Sequence, residues 1–238
     1  MTSYKIFTIL VVSLLMSAQL ALAKPAATQA DHFKDYDLCK LKSIHAEMAP
    51  SENDSDLPPT LQLMKMIAYD LQDISLSFIK KAKDISDQLL KESVLNTNQS
   101  PEMKKFKQDV EEFNNKYSKC SDVDELYDLV QLFSNATSEY YEKETNGTLT
   151  ADTKIILDVL KKHSTKEMED EMEKKYINSL VVSFGEKLDE LKEKLKTEEG
   201  ELGEKILQWW DKVKALKTPE EKVAAFKEYM TLYGYEED

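Results

Sequence analysis

Arginine is absent from the 238-residue sequence, so that all 32 basic residues are lysine, and the formal net charge is −13. Surfaces that recognise nucleic acid or phosphate favour the planar guanidinium group and present a basic electrostatic field. An acidic protein is also repelled by anionic membranes. We therefore expect no nucleic-acid partner, and we read the acidity as a contribution to solubility.

Histidine is nearly as scarce, with three residues in the chain, His32, His45 and His163. None lies in the H-E-x-x-H or E-x-x-H patterns of helical metal sites, and the sequence contains no P-loop, G-x-S-x-G or G-x-G-x-x-G motif. His163, Glu167 and Glu171 could share a metal only on one unbroken helix, which a predicted N-cap at Ser164 opposes. The sequence thus predicts a non-enzymatic protein without metal or cofactor.

Long apolar runs are missing from the chain except at its beginning, over residues 6–22. Lys5 precedes this run, and Ala21-Leu22-Ala23 has the A-x-A form of a signal-peptidase site. We predict a signal peptide over residues 1–23 and a secreted mature chain that starts at Lys24. Since no second apolar run follows, we expect no transmembrane span.

Cysteine occurs twice, as Cys39 and Cys120. In an oxidising compartment an isolated pair favours one disulfide, which would stabilise the fold by about 3–5 kcal/mol through constraint of the unfolded chain. The alternative is two unpaired buried thiols.

Four N-x-S/T sequons agree with passage through a secretory lumen. Asn146 lies in the turn sequence ETNGT and is the best candidate for glycosylation, followed by Asn135, Asn53 and Asn98. Since such triplets also arise by chance, they support secretion without establishing it.

Glycine (5 residues) and proline (6 residues) are rare, and apolar residues recur every three or four positions. This pattern predicts an all-α fold. A short helix and a Pro-rich linker are expected over residues 24–59. Two helical halves follow, over residues 60–147 and 148–238, and they form one continuous domain.

Each half is predicted to contain one long amphipathic helix, over residues 60–94 and 164–197, which favours an elongated helical bundle. Because each half also has a medium helix and a capped third helix, a duplicated three-helix unit is one interpretation. A coincidental likeness between amphipathic helices is the other.

Several helix starts carry capping signals. Ser100-Pro101 and Thr218-Pro219-Glu220-Glu221 combine an N-cap with proline at the first helical position. Ser121 or Asp122 is expected to cap the helix after Cys120. Ser164-Thr165-Lys166-Glu167 has the form of a capping box.

The two tryptophans are adjacent, in the stretch ILQWWDKVKAL. Trp209 falls on the apolar stripe with Ile206 and Val213, so we expect it in the core. Trp210 lies about 100° further round the helix and either widens the core face or forms an exposed contact.

These features favour a secreted protein that acts by binding, foremost as an extracellular protein-interaction factor. Its surface contacts would include exposed aromatic residues such as Trp210, Tyr140 and Tyr141. A carrier of a lipid or small hydrophobic ligand in an interhelical cavity is the alternative. A coiled-coil-like structural component is the weakest of the three, because caps and prolines interrupt the heptads.

Overall fold

The computed structural model describes residues 49, 51–120, 122–198 and 200–233. The described residues form helices and their connections without any strand, which confirms the predicted all-α class. The predicted signal peptide, the N-terminal helix and Cys39 lie outside the described residues.

A 3-10 turn and ten α-helices make up the described chain. The 3-10 turn spans Glu52–Asp56, and the first five helices are α1 Pro59–Leu89, α2 Ser93–Thr97, α3 Pro101–Tyr117, α4 Val123–Thr145 and α5 Ala151–Lys162. The remaining helices are α6 Thr165–Ile177, α7 Phe184–Thr197, α8 Leu202–Ala215, α9 Pro219–Ala224 and α10 Phe226–Thr231. A π-helical turn, Asn178–Ser183, joins α6 to α7.

The two long helices occur close to where the sequence places them. Helix α1 has 31 residues and ends at Leu89, so the predicted helix over 60–94 breaks five residues early, before the short α2. The helical path from Thr165 to Thr197 is continuous through the π turn. Whether the two halves arose by duplication stays a prediction.

Helix α1 is the central element, because it contacts α3, α4, α6 and α7. Its buried face belongs to a large apolar core shared with α4, α6, α7 and α8. A second core lies where the end of α1 meets α2, α3, α4 and α5, with the buried residues Leu89, Leu95, Met103, Phe106, Val110, Tyr140, Ile156, Leu157, Val159 and Leu160.

The second core is closed by one carboxylate that joins three helices. Glu102, in the first turn of α3, accepts hydrogen bonds from Lys143 Nζ at 2.9 Å, Thr150 Oγ1 at 2.9 Å and Thr153 Oγ1 at 2.8 Å. A charge-assisted bond of this kind is stronger than one between neutral groups. These contacts hold the starts of α3 and α5 against the end of α4.

The π turn has a physical reason in the apolar pattern of this path. Residues 168, 172, 176, 180 and 184 are all buried and are spaced by four. In an ideal α-helix such a stripe would rotate by about 40° per step and leave the core. A π turn holds more residues per turn, so it keeps the stripe facing α1.

Most predicted caps are confirmed. The side chain of Ser100 accepts from Met103 N, and that of Asp122 accepts from Glu125 N. Thr218 forms the full capping box with Glu221.

The capping box predicted at Ser164 is wrong. Ser164 has φ 53° and ψ 38°, a left-handed conformation in which its side chain makes no capping bond. The neighbouring Thr165 donates instead to the carbonyl of Leu160 at 3.2 Å, which closes the tight turn between α5 and α6. The helix therefore breaks at Ser164 as expected, but by a left-handed turn and not by a capping box.

Candidate functional site

A groove runs between α1 and the helical path formed by α6, the π turn and α7. It has two adjoining parts. We call the first part the end cleft; it has a volume of about 410 Å³ and is lined by Ser51, Asp54, Ser55, Gln62, Lys65, Met66, Tyr69, Lys187, Glu190 and Lys194. The second part, the π-turn groove, has a volume of about 500 Å³ and is lined by Tyr69, Asp70, Asp73, Ile74, Glu171, Lys174, Lys175, Asn178, Ser179 and Ser183. Tyr69 lines both parts, so they form one surface.

The end cleft is built by local hydrogen bonds that fix the 3-10 turn on α1. Gln62 Nε2 donates to the carbonyl of Leu57 at 2.8 Å, and Lys65 pairs with Asp54 at 2.5 Å. The hydrogen bond from Lys65 lowers the pKa of the Asp54 carboxyl. The turn is thus held as one wall of the cleft, and α7 supplies the opposite wall.

The π-turn groove contains a part-buried polar contact between the π turn and α1. Ser179, from the π turn, donates through Oγ to Asp70 Oδ2 on α1 at 2.8 Å, and burial raises the pKa of Asp70. Further along, Glu171 is held by Lys81 and Lys175, whose hydrogen bonds lower the pKa of Glu171 to about 2. The walls of this groove therefore carry fixed charges of both signs.

An exposed apolar side chain lies in the π turn itself. Val182 is 46% exposed, and it follows the buried Leu180 and the half-buried Val181. Three consecutive residues of a helix point in different directions, so they cannot all face the core of the bundle. The run indicates an exposed apolar side chain, and Val182 immediately precedes Ser183, which lines the π-turn groove.

A second polar feature lies inside the bundle, between α4 and α6. Glu169 is 5% exposed, and its Oε1 lies 2.6 Å from Thr137 Oγ1. Burial raises the pKa of Glu169 to about 8. The structure thus contains a carboxylic acid that is favoured in its neutral form at the centre of a helix contact, a feature that the sequence pattern did not reveal.

The expected surface contact at Trp210 is wrong. Trp209 is 2% and Trp210 is 5% exposed, so the first indole is core as predicted and the second widens the core face. The ring of Phe184 lies 5.9 Å from Trp209 and 5.3 Å from Trp210, measured between centroids. Trp209 also donates through Nε1 to the carbonyl of Ala225 at 3.1 Å.

The expected surface contact at Tyr140 is wrong as well. Tyr140 is fully buried in the second core, with its ring edge-on to Phe106 at 5.3 Å. Tyr141 is half-buried, and its hydroxyl is hydrogen-bonded to Thr165 Oγ1 at 2.6 Å. The three aromatic residues therefore do not form an exposed patch.

The cysteine and sequon predictions stay open. Cys120 is buried, burial raises the pKa of its thiol to about 12, and it forms no disulfide within the described residues; its proposed partner Cys39 lies outside them. Asn135 and Asn146 are exposed, whereas Asn98 uses its amide to donate to Asp152 at 3.0 Å. The side chain of Asn53 also lies outside the described residues.

His163 serves a packing role between helices. Its Nδ1 lies 3.0 Å from Gln88 Oε1 and its Nε2 lies 2.7 Å from Glu92 Oε1, which ties the end of α5 to the end of α1. Glu171 is bound to Lys81 and Lys175 elsewhere. Over the residues that the structure describes, no group of His, Cys, Asp or Glu side chains could hold a metal ion.

Within the described ranges, none of the helices combines the length and apolarity needed to cross a bilayer. Comparison with known proteins finds no matching family model, no matching curated protein and no matching solved structure. The site is therefore interpreted from its own geometry.

Proposed function

We propose that this chain is a secreted, non-enzymatic binding protein that takes a helical segment of a partner protein into the groove along α1. The observation that carries the proposal is the open groove, whose lining residue Ser183 directly follows the exposed Val182. The N-terminal sequence, with its apolar run and A-x-A site, supports secretion.

The dimensions and chemistry of the groove suit a protein segment. From Gln62 to Ile74, α1 forms about 18 Å of its floor, which matches about three turns of a docked helix. Its walls alternate in charge, with Lys174 and Lys175 near Glu171. An amphipathic helix docks through a few apolar anchors, and charges at the rim select the partner.

The first experiment compares two apolar surface residues of similar exposure. The mature protein is used to capture partners from the extracellular fluid of its source, and the captured protein is identified and purified. We expect Val182→Glu to weaken binding at least tenfold, because Val182 adjoins the groove-lining Ser183 and an apolar hot-spot residue contributes about 2 kcal/mol or more. Leu149, which is 40% exposed and does not line the groove, gives the control Leu149→Glu.

Equal affinities for both variants and the wild type would refute docking at the part of the groove next to Val182. If Leu149→Glu alone loses binding, the partner site lies at the junction of α4 and α5. Circular dichroism of each variant checks that the helices are intact.

A second candidate function is favoured by the end cleft. Its volume of about 410 Å³ lies within the range of roughly 300–1,000 Å³ that is usual for small-ligand sites. The cleft would then hold a small hydrophobic or amphipathic molecule, which is the carrier function expected as the alternative. Lipid extraction from protein purified from its source, followed by mass spectrometry, tests this candidate.

A further inference from the structure

The end cleft is rich in lysine although the protein is strongly acidic. Lys65, Lys187 and Lys194 line it together with two carboxylates, Asp54 and Glu190. The whole chain has a formal net charge of −13, whereas this cleft carries one excess positive charge. A local excess of the minority sign attracts a ligand of the opposite sign.

The excess charge can be assigned to one side chain. Lys65 is paired with Asp54 at 2.5 Å, and Lys187 is paired with Glu190 at 2.8 Å. Lys194, by contrast, makes no ion pair with any residue that the structure describes. Lys187, Glu190 and Lys194 lie on one face of α7, because they are spaced by three and four residues. The ammonium group of Lys194 is therefore the one cation in the cleft lining without a counter-charge.

The floor of the cleft is apolar. Met66 and Tyr69 are both half-buried and lie on the same side of α1, three residues apart. Methionine adapts to irregular ligands, and a tyrosine ring offers an apolar face. The methylene stem of Lys65 extends this surface, since lysine buries its stem while its head stays in water.

We propose that the end cleft binds an amphipathic molecule with a single negative charge, such as a medium-chain carboxylate. Its head lies at Lys194, and its chain lies over Met66 and Tyr69. This inference rests on the second candidate function, and it names the ligand class that the cleft would take.

The same charges argue against other ligand classes. Asp54 and Glu190 repel the second charge of a phosphate monoester, and the lysine heads give no bidentate contact of the kind that arginine offers. A neutral chain would leave Lys194 without a partner, and a cationic head would meet Lys194 directly. A single carboxylate neutralises the one excess positive charge and brings no second negative charge that Asp54 and Glu190 would repel.

The test uses decanoate as the probe and isothermal titration calorimetry on the mature protein at low ionic strength. Octanoate should bind about 15-fold more weakly, because each methylene contributes about fourfold when it is buried. The neutral analogue 1-decanol should bind about 2–5-fold more weakly than decanoate, as expected for a partly exposed ion pair. Tyr69→Ser should weaken binding of every probe.

Lys194→Gln should abolish the preference for decanoate over 1-decanol. Lys154→Gln is the matched control, because Lys154 is an exposed lysine of α5 that does not line the cleft. Equal binding of decanoate and decanol to the wild type would overturn the charge assignment but leave a ligand site in place. If neither probe binds, the second candidate function fails together with this inference. Binding that Tyr69→Ser leaves unchanged would place the site outside the end cleft.

Discussion

Replacement of Glu169 by glutamine should remove a large part of the pH dependence of stability. Glu169 is 5% exposed, and burial raises the pKa of its carboxyl from 4.5 to about 8. Thr137 Oγ1 lies 2.6 Å from Glu169 Oε1 and 3.0 Å from the carbonyl of Phe133. Because the threonine hydroxyl has one proton, both contacts are satisfied when a protonated Glu169 donates to Thr137 and Thr137 donates to Phe133.

The sign follows from proton linkage. Between the unfolded pKa of 4.5 and the folded pKa of about 8, the folded state binds more protons than the unfolded state. Stability from this group is therefore fully present below pH 4.5 and is lost as the pH rises through about 8. Between about pH 5 and pH 8 the loss amounts to roughly 3–4 kcal/mol. This direction is opposite to that of a salt-bridged carboxylate, which stabilises at high pH.

The assay is urea unfolding of the wild type and Glu169→Gln at four pH values from about 5 to 8. The difference in unfolding free energy between the two proteins isolates this residue, since other titrating groups are shared. The charged neighbours on the same helix, Lys166 and Asp170, pair with each other at 2.6 Å, and Tyr141 is the titratable group that faces Glu169 from α4. We expect the difference to shift in favour of glutamine by roughly 3–4 kcal/mol over this range.

Glu167→Gln provides the control, because Glu167 is exposed in the first turn of the same helix. Its difference from the wild type measures the effect of a Glu→Gln substitution on the surface of the same helix, which is usually within about 0.5 kcal/mol. The reasoning is refuted if the Glu169→Gln difference stays constant within about 0.5 kcal/mol, the usual range for a surface substitution. It is also refuted if the trend has the opposite sign, because Glu169 would then be stabilised as an anion.

Three further outcomes are expected. Gly203→Ala should destabilise the protein by about 1–3 kcal/mol in urea unfolding, because its Cβ would lie 2.2 Å from the Leu195 carbonyl oxygen; unchanged stability would contradict this backbone contact. Thr218→Ala should cost about 1 kcal/mol in thermal unfolding, through loss of the bond from Glu221 N. Acrylamide should quench the native tryptophan fluorescence weakly, and strong quenching would show that Trp210 is accessible.

Local signals in the sequence predict the helices well. The all-α class and the caps at Ser100 and Thr218 follow from periodicity and hydrogen-bonding chemistry within a few residues. The capping box at Ser164 fails because contacts from elsewhere decide the turn: Thr165 is hydrogen-bonded to Tyr141 on α4 and to the Leu160 carbonyl. A four-residue capping-box pattern cannot predict hydrogen bonds to partners on other helices.

The groove along α1 depends on the relative placement of elements that are distant in sequence. Lys65 and Lys194 are separated by well over one hundred residues, and both line the end cleft. Their separation along the chain gives no indication that the two side chains lie close together. The burial of Glu169 is equally hidden, because the sequence places it in an acidic run, EMEDEMEKK, that resembles a solvated helix face.

The burial of both tryptophans follows from a matching pair of residues on α7. Phe184 contacts both indoles. The next residue, Gly185, has no side chain, and the ring of Trp210 comes within 2.7 Å of the position that a Cβ would take there. Adjacent residues on a helix point about 100° apart, so one flat surface does not cover two neighbouring indoles. Here Phe184 packs against both rings, and the missing side chain of Gly185 leaves room for Trp210. Gly185 therefore allows Trp210 to pack into the core, and the exposed aromatic contact expected at Trp210 is absent because this indole is buried.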